Sequence, residues 1–351
     1  MNTNVSVNKR NNDLLDLVKF ILSFIIVAIH SQLLDPYLYP WLRLAVPLFF
    51  IISSYLFFTK INTCTLNRER LLLLKGFVLR NLKLYAFWFV VLFPVNIFTR
   101  GWFDDGFFNG IVKILQGLLF GSTFVASWFI MALIIGVAIV FFASKKMSNS
   151  ALITIGAILY ILICMRSSYM FLFADFPIGL LEAIVKYESI VNAPINSFPA
   201  GLFWIVCGKL FADGAFAKFK IKESSIILGI SAGLLLTEWL LLKHFSGNFN
   251  KDFYIMLAPC AIAIFNILIQ LKPINLKYSR EMRKISVIVY ASHGTVIPLL
   301  NKLLEVTVGS MPATAKSIVV FIGTLAICIS IAILILNLER TKYLTWLKYS
   351  H

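Results

Sequence analysis

From residue 14 to residue 337 one pattern repeats: an apolar stretch of near-bilayer length, then a short polar connection. A hydrocarbon core about 30 Å thick needs about 20 apolar residues per helix. Ten stretches are candidates, the sixth of them short of that measure: 14–34, 42–59, 79–98, 126–143, 149–166, 198–212, 224–242, 254–271, 285–304 and 313–337. Lipid offers the backbone no hydrogen-bond partner, so each must close its own bonds as a helix. The expected fold is all-α, a polytopic membrane helix bundle of about ten transmembrane helices. It fills residues 1–351 as a single integral-membrane domain, with no soluble domain appended. Residues 107–122 are also apolar but hold Lys113, Gln116 and three glycines, and read as an interfacial or re-entrant helix.

Composition agrees. Hydrophobic residues make up 60% and charged ones 14%, where a soluble chain carries about a quarter charged. Mean hydropathy is +0.87. A soluble enzyme, a disordered tail and a coiled coil are excluded. A net charge of +16 would suggest nucleic acid in a soluble protein. Here the charges must sit mainly in connections, where they report orientation. With the start of the chain inside and the spans alternating, inside segments hold 22 of the 32 Lys and Arg, outside segments 9, and Lys19 lies within the first span. This predicts N- and C-termini on the cytoplasmic side. The first stretch holds Lys19 and His30 and no small-residue cleavage site follows, so it is expected to stay as a helix. The five cysteines are far apart in sequence, so neither metal nor disulfide is expected. Membrane lipid is an expected partner and nucleic acid is not; homo-oligomerisation stays open.

The most informative residues lie in the first span. Asp16, Lys19, Ser23 and His30 fall within a narrow sector at 100° per residue, and the other face is Leu, Ile, Phe and Val. Polar groups at membrane depth are costly and are functional candidates. Lys19 and His30 are about 16 Å apart along the axis. His30 is the candidate general base, since a free imidazole titrates near neutrality; a histidine bonding only between helices is the alternative. Asp16 and Lys19 read equally as an anchoring ion pair.

The stretch NNDLLDLVKFILSFIIVAIH, followed by RLAVPLFFIISSYLFF, resembles the opening of the acyltransferase 3 family, bacterial multi-pass membrane acyltransferases that commonly O-acetylate surface polysaccharides. Asp16, Lys19 and His30 match its first pattern; Arg43, Pro47, Phe49, Phe50, Ser53 and Tyr55 match its second. Looser matches are VLRNLKLYAFW with Arg80, SWFIMALI, and RKISVIVYASH ending in His293. Two departures stand out. Lys19 replaces an arginine, giving a point charge for a planar fork, and Ser54 replaces a glycine.

The resemblance implies acetyl transfer from cytoplasmic acetyl-CoA to a hydroxyl of a cell-surface glycan or lipid-linked glycan, at a bacterial inner membrane. His30 would be base or transient acyl carrier. Lys19, Asp16, Arg43 and Ser53 join it as candidate site residues, with Arg43 holding the acceptor or steadying the site. The basic segment 60–83, read as a loop with Arg80, Lys83 and Lys75, would bind the CoA phosphates; the alternative is a basic cytoplasmic loop that reports topology alone or meets anionic lipid. Glu238, mid-span in LLLTEWLLLK, needs a partner: His30, a basic residue, or a neighbouring helix. The connection 167–197, with Asp175, Glu182 and Glu188, is a candidate cover for the site. Two readings compete: a membrane transporter or flippase for a lipid-linked sugar, and a non-catalytic subunit of a polysaccharide assembly complex. Inverted repeats with broken helices would mark a carrier, and none is evident in the sequence.

Overall fold

A computed structural model describes residues 4–33, 38–173, 197–246 and 252–351, with isolated positions at 179, 182, 183 and 186. Among them every regular element is helical. Eleven helices carry the fold: α1 Asn4–His30, α2 Ala45–Thr63, α3 Asn67–Thr99, α4 Phe107–Phe120, α5 Ser127–Ala143, α6 Asn149–Arg166, α7 Phe198–Ala212, α8 Ile221–Ser246, α9 Leu257–Gln270, α10 Ser279–Thr307 and α11 Ala313–Leu338. Single turns at Tyr39–Leu42 and Met170–Phe173 and a 3₁₀ turn at Thr345–Ser350 complete it. Of the acids expected over 167–197, Asp175 and Glu188 lie outside the described residues, and Glu182 is exposed.

Six helical segments are long and apolar enough to cross a membrane: Tyr39–Thr63, Asn67–Thr99, Asn149–Arg166, Ile221–Ser246, Ser279–Thr307 and Ala313–Leu338. Helices α5, α7 and α9 fall on expected spans but are shorter, and α1 carries Asp13, Asp16 and Lys19 in its apolar half. The periphery is apolar. Ile226, Ile230 and Leu234 on α8, and Ile318, Ile322, Ile333 and Leu334 on α11, are exposed. A surface of this kind fits hydrocarbon better than water.

The interior explains the short helices. Every residue of α7 from Ala200 to Phe211 is buried, so it needs no lipid-length surface. It packs on α2, α5 and α6. Gly201 and Gly208, two turns apart, lie against α2. A Cβ at Gly208 would stand 2.0 Å from Ser54 Oγ and 2.6 Å from the Ile51 carbonyl oxygen. Ser54 is wholly buried there and donates to the Phe50 carbonyl at 2.7 Å. The close approach that the family's glycine suggests on α2 is thus supplied from α7, which tolerates the serine.

Two sequence expectations need correction. The basic segment 60–83 is no loop: α3 starts at Asn67 and runs unbroken past the expected span. Its RERLLLLK start is rich in strong helix formers. The first span ends at His30 rather than 34, because the chain turns at Ser31–Leu33. There Gln32 N–H donates to Ile29 and Leu33 N–H to Ala28, at 3.2 and 3.1 Å. This pairing is a Schellman cap, whose turning residue is usually glycine. Gln32 occupies it with φ +56°, the one non-glycine positive φ among the described residues.

Candidate active site

The polar face of α1 meets a second polar stripe that sequence reading did not single out. On α10, Arg283, Ser286, Tyr290 and His293 recur at helical spacing, and α1 and α10 pack along their length. The buried Asp16 carboxylate faces Arg283 Nη1 at 3.4 Å rather than pairing with Lys19. Ser23 is fully buried and donates to the Phe20 carbonyl at 2.7 Å. At the far end the His30 and His293 rings lie with centroids 5.0 Å apart. Charge therefore gathers at one end of the α1–α10 seam and two imidazoles at the other.

Each end opens into a cavity. The histidine cavity, about 480 Å³, is lined by His30, Gln32, Tyr39, Arg43, Trp128, Asp252, Tyr290 and His293, with aliphatic side chains between them. That volume suits a small organic ligand. His30 sits on the last turn of α1 and is exposed, its ring lining this cavity. His293 is 1% exposed. Arg43 Nη2 pairs with Asp252 Oδ1 at 2.7 Å, hydrogen-bonds the Tyr39 hydroxyl, and lies over that ring with Cζ 4.6 Å from its centroid. Guanidinium and carboxylate neutralise each other, so the pair presents hydrogen-bonding atoms rather than net charge.

The second cavity, about 160 Å³, is lined by Lys19, Arg80, Arg283, Asn81, Ser286 and His351 among apolar side chains. Three cations converge from α1, α3 and α10, an arrangement that attracts an anion. His351 folds back over it: Ser350 is fully buried, its carbonyl accepts from Trp88 Nε1 at 2.9 Å, and the His351 ring stands 3.3 Å from Glu339. Burial pushes the His351 imidazole below its ordinary pKa, helped by Lys284 and Arg283 and opposed by Glu339. Tyr290 borders both cavities. Phe49 and Phe129 pack on it at 5.7 and 5.4 Å, forming an aromatic partition between them.

Other sequence candidates lie elsewhere. Lys75 is exposed on α3, and Lys83 is exposed with Nζ 4.9 Å over the Tyr349 ring; neither borders the cation cavity, whereas Arg80 does. Ser53 is half-buried and borders neither cavity. Glu238 is not at His30. Its carboxylate accepts from the backbone N–H of Ile255 at 2.6 Å and of Met256 at 2.9 Å, and from the Tyr169 hydroxyl. It thereby grips the segment entering α9, and Asp252 lies three residues before that grip. Sequence reading missed Asp252, whose pairing with Arg43 spans more than 200 residues and leaves no local pattern. His293 was read as a motif end and, like Glu238, as a mid-span titratable group in need of a partner; the spacing of Arg283, Ser286, Tyr290 and His293, which marks a second polar helix face, was not read.

Comparison with known proteins follows this geometry. A family model described as an acyltransferase domain matches residues 12–335. Two curated relatives, both from Enterococcus faecalis and both called amino-acid racemase, are similar to this chain. One is 25% identical over 278 residues, covering 74% of this chain and 36% of the relative. The other is 22% identical over 339 residues, covering 93% of this chain and 46% of the relative. The chain spans less than half the length of either, so more than half of each lies outside the match. No solved structure matches.

Proposed function

The chain belongs to the acyltransferase 3 family, and from that premise we propose that it is a membrane O-acetyltransferase. It moves an acetyl group from cytoplasmic acetyl-CoA to a hydroxyl of a bacterial cell-surface glycan or its lipid-linked precursor. One observation carries this reading: a cation cavity and an imidazole cavity lie at the two ends of one helix seam, with Tyr290 in the wall they share. In this reading the spans number ten, the cation cavity faces the cytoplasm, the membrane is the inner one, and α4 lies at the interface.

Each cavity has a task. Lys19, Arg80 and Arg283 meet the anionic donor. The thin pantetheine arm reaches past Phe49, Phe129 and Tyr290 once those rings part, bringing the thioester to the imidazoles. The acceptor sits in the histidine cavity with its ring on Trp128 or Tyr39, and the neutralised Arg43–Asp252 pair and the Gln32 amide read its hydroxyls. Acid–base catalysis by the imidazoles is expected to supply about 10²–10⁴ in rate. Two cavities divided by a partition also suit a carrier, which keeps a transporter of a lipid-linked sugar as the second reading.

The test is thiol release from acetyl-CoA by purified protein in nanodiscs, with methyl hexosides and lipid-linked glycans as acceptors. Acceptor-dependent release is expected, lost in His30→Asn, with a raised KM for acetyl-CoA in Arg80→Ala. Undiminished release by folded His30→Asn refutes the site. Sugar-lipid translocation in proteoliposomes free of acyl-CoA would establish the carrier instead.

A further inference from the structure

His293 has a property that His30 lacks: its hydrogen is placed by its surroundings. The Nδ1 atom lies 2.6 Å from the Tyr290 carbonyl oxygen on the preceding turn of α10. A carbonyl oxygen only accepts, so Nδ1 is the nitrogen that carries hydrogen. Nε2 is then left with a bare lone pair. It is buried and has no hydrogen-bond partner among the described residues. It is an orphaned acceptor on a side chain that lines the histidine cavity, and a hydroxyl held there is the donor it lacks. His30, by contrast, is exposed at a helix end, where no described contact fixes its tautomer.

We infer that His293, rather than His30, takes the proton from the acceptor hydroxyl, and that His30 is the acid that serves the leaving thiolate. This division of labour rests on the acetyl-transfer reading. As the hydroxyl proton passes to His293 Nε2, the acceptor oxygen bonds to the thioester carbonyl carbon. The carbon–sulfur bond then breaks, and the thiolate takes a proton from His30. A proton returning from His293 to His30 across their 5.0 Å ring separation restores the starting state. The Nδ1–H···O bond to Tyr290 fixes the ring as acceptor and steadies the charge it gains, as a triad's third member does for its histidine.

The discriminating variant is His293→Asn. The asparagine amide nitrogen occupies the place of Nδ1 and keeps the bond to Tyr290, while nothing replaces Nε2. Thiol release and transfer from acetyl-CoA are followed from pH 5 to 9 for wild type, His293→Asn and His30→Asn, each with its melting temperature. His293→Asn should lose at least 100-fold in kcat with little change in KM. Its residual rate should lack the acidic limb of the pH profile, and that of His30→Asn should lack the alkaline limb. A folded His293→Asn within fivefold of wild type overturns the assignment while leaving acetyl transfer standing, and so do exchanged limbs. A wild type that releases no thiol with any acceptor overturns the transfer reading, and the assignment with it. Because a variant can fail to fold, ¹⁵N-histidine spectra of the wild type give a second measurement. Of the four histidines, His293 should show the Nδ1–H tautomer at neutral pH; the Nε2–H form there also overturns the assignment.

Discussion

Glu238 offers the clearest link between a distant side chain and the cavity. Glu238→Gln keeps length and shape but exchanges one carboxylate oxygen for an amide nitrogen. One oxygen now accepts from Ile255 and Tyr169 and the other from Met256. A glutamine supplies one acceptor, and its NH₂ must face an N–H donor. At least one charge-assisted bond is lost, about 1.5–3 kcal/mol, together with the favourable field of a carboxylate before the N-terminus of α9. We expect a stability loss of about 2–3 kcal/mol. The segment it released carries Asp252, so the 2.7 Å pair with Arg43 should loosen and the acceptor KM should rise several-fold. The KM for acetyl-CoA should stay put, because the cation cavity lies at the other end of the seam. The assay is thermal unfolding in nanodiscs alongside both KM values. An unchanged melting temperature would refute the gripping role. A donor KM that moves with the acceptor KM would refute the separation of the two cavities.

Three further outcomes are expected. Gln32→Gly relieves a left-handed non-glycine residue, worth about 1 kcal/mol, so it should melt higher yet bind acceptor less well; a lower melting temperature would show that the side chain holds the turn. Gly208→Ala sets a methyl 2.0 Å from Ser54 Oγ and 2.6 Å from a backbone oxygen; it should cost about 2–3 kcal/mol by overpacking, and Ser54→Gly should recover only part of that in the double variant. Asp213 receives hydrogen bonds from Lys209, Asn62 and Asn149 at 2.5, 3.0 and 2.9 Å. Burial alone would raise its carboxyl, but these donors outweigh burial and hold it below the usual range. The unfolded chain therefore binds that proton first, so the stabilisation is complete above about pH 4 and fades as acid nears the lower folded value. Asp213→Asn should flatten the acid limb of the stability curve, and an unchanged limb would show that another group governs it.

How much of this was legible beforehand follows from distance along the chain. The α1 stripe was readable because Asp16, Lys19, Ser23 and His30 are bound by one helical period. The membrane setting was readable because lipid imposes length and apolarity on each span separately. Asp252 was not readable, since a loop residue that finds Arg43 across the seven helices α2 to α8 obeys no spacing rule. Glu238 stood out as costly, but its partners are backbone N–H groups, which every sequence contains and none advertises. The basic segment before Arg80 was read as a loop because charge was weighed above helix propensity. The return of His351 to the cation cavity depends on Trp88 and Glu339, contacts that exist only once the bundle has assembled.

The partition of Phe49, Phe129 and Tyr290 has a consequence for the cell. A membrane that stores about 2.3 kcal/mol per elementary charge for each 100 mV punishes any continuous file of water through a protein. Lysine, arginine and two imidazoles along one seam would otherwise form a ready conduit for protons. Three rings in tilted and edge-to-face contact stand between the two cavities and interrupt that file. Slimming them, as in Tyr290→Ala, would threaten the host's energy supply before it altered the chemistry, and such a variant should dissipate a pH gradient across a vesicle that the parent protein holds.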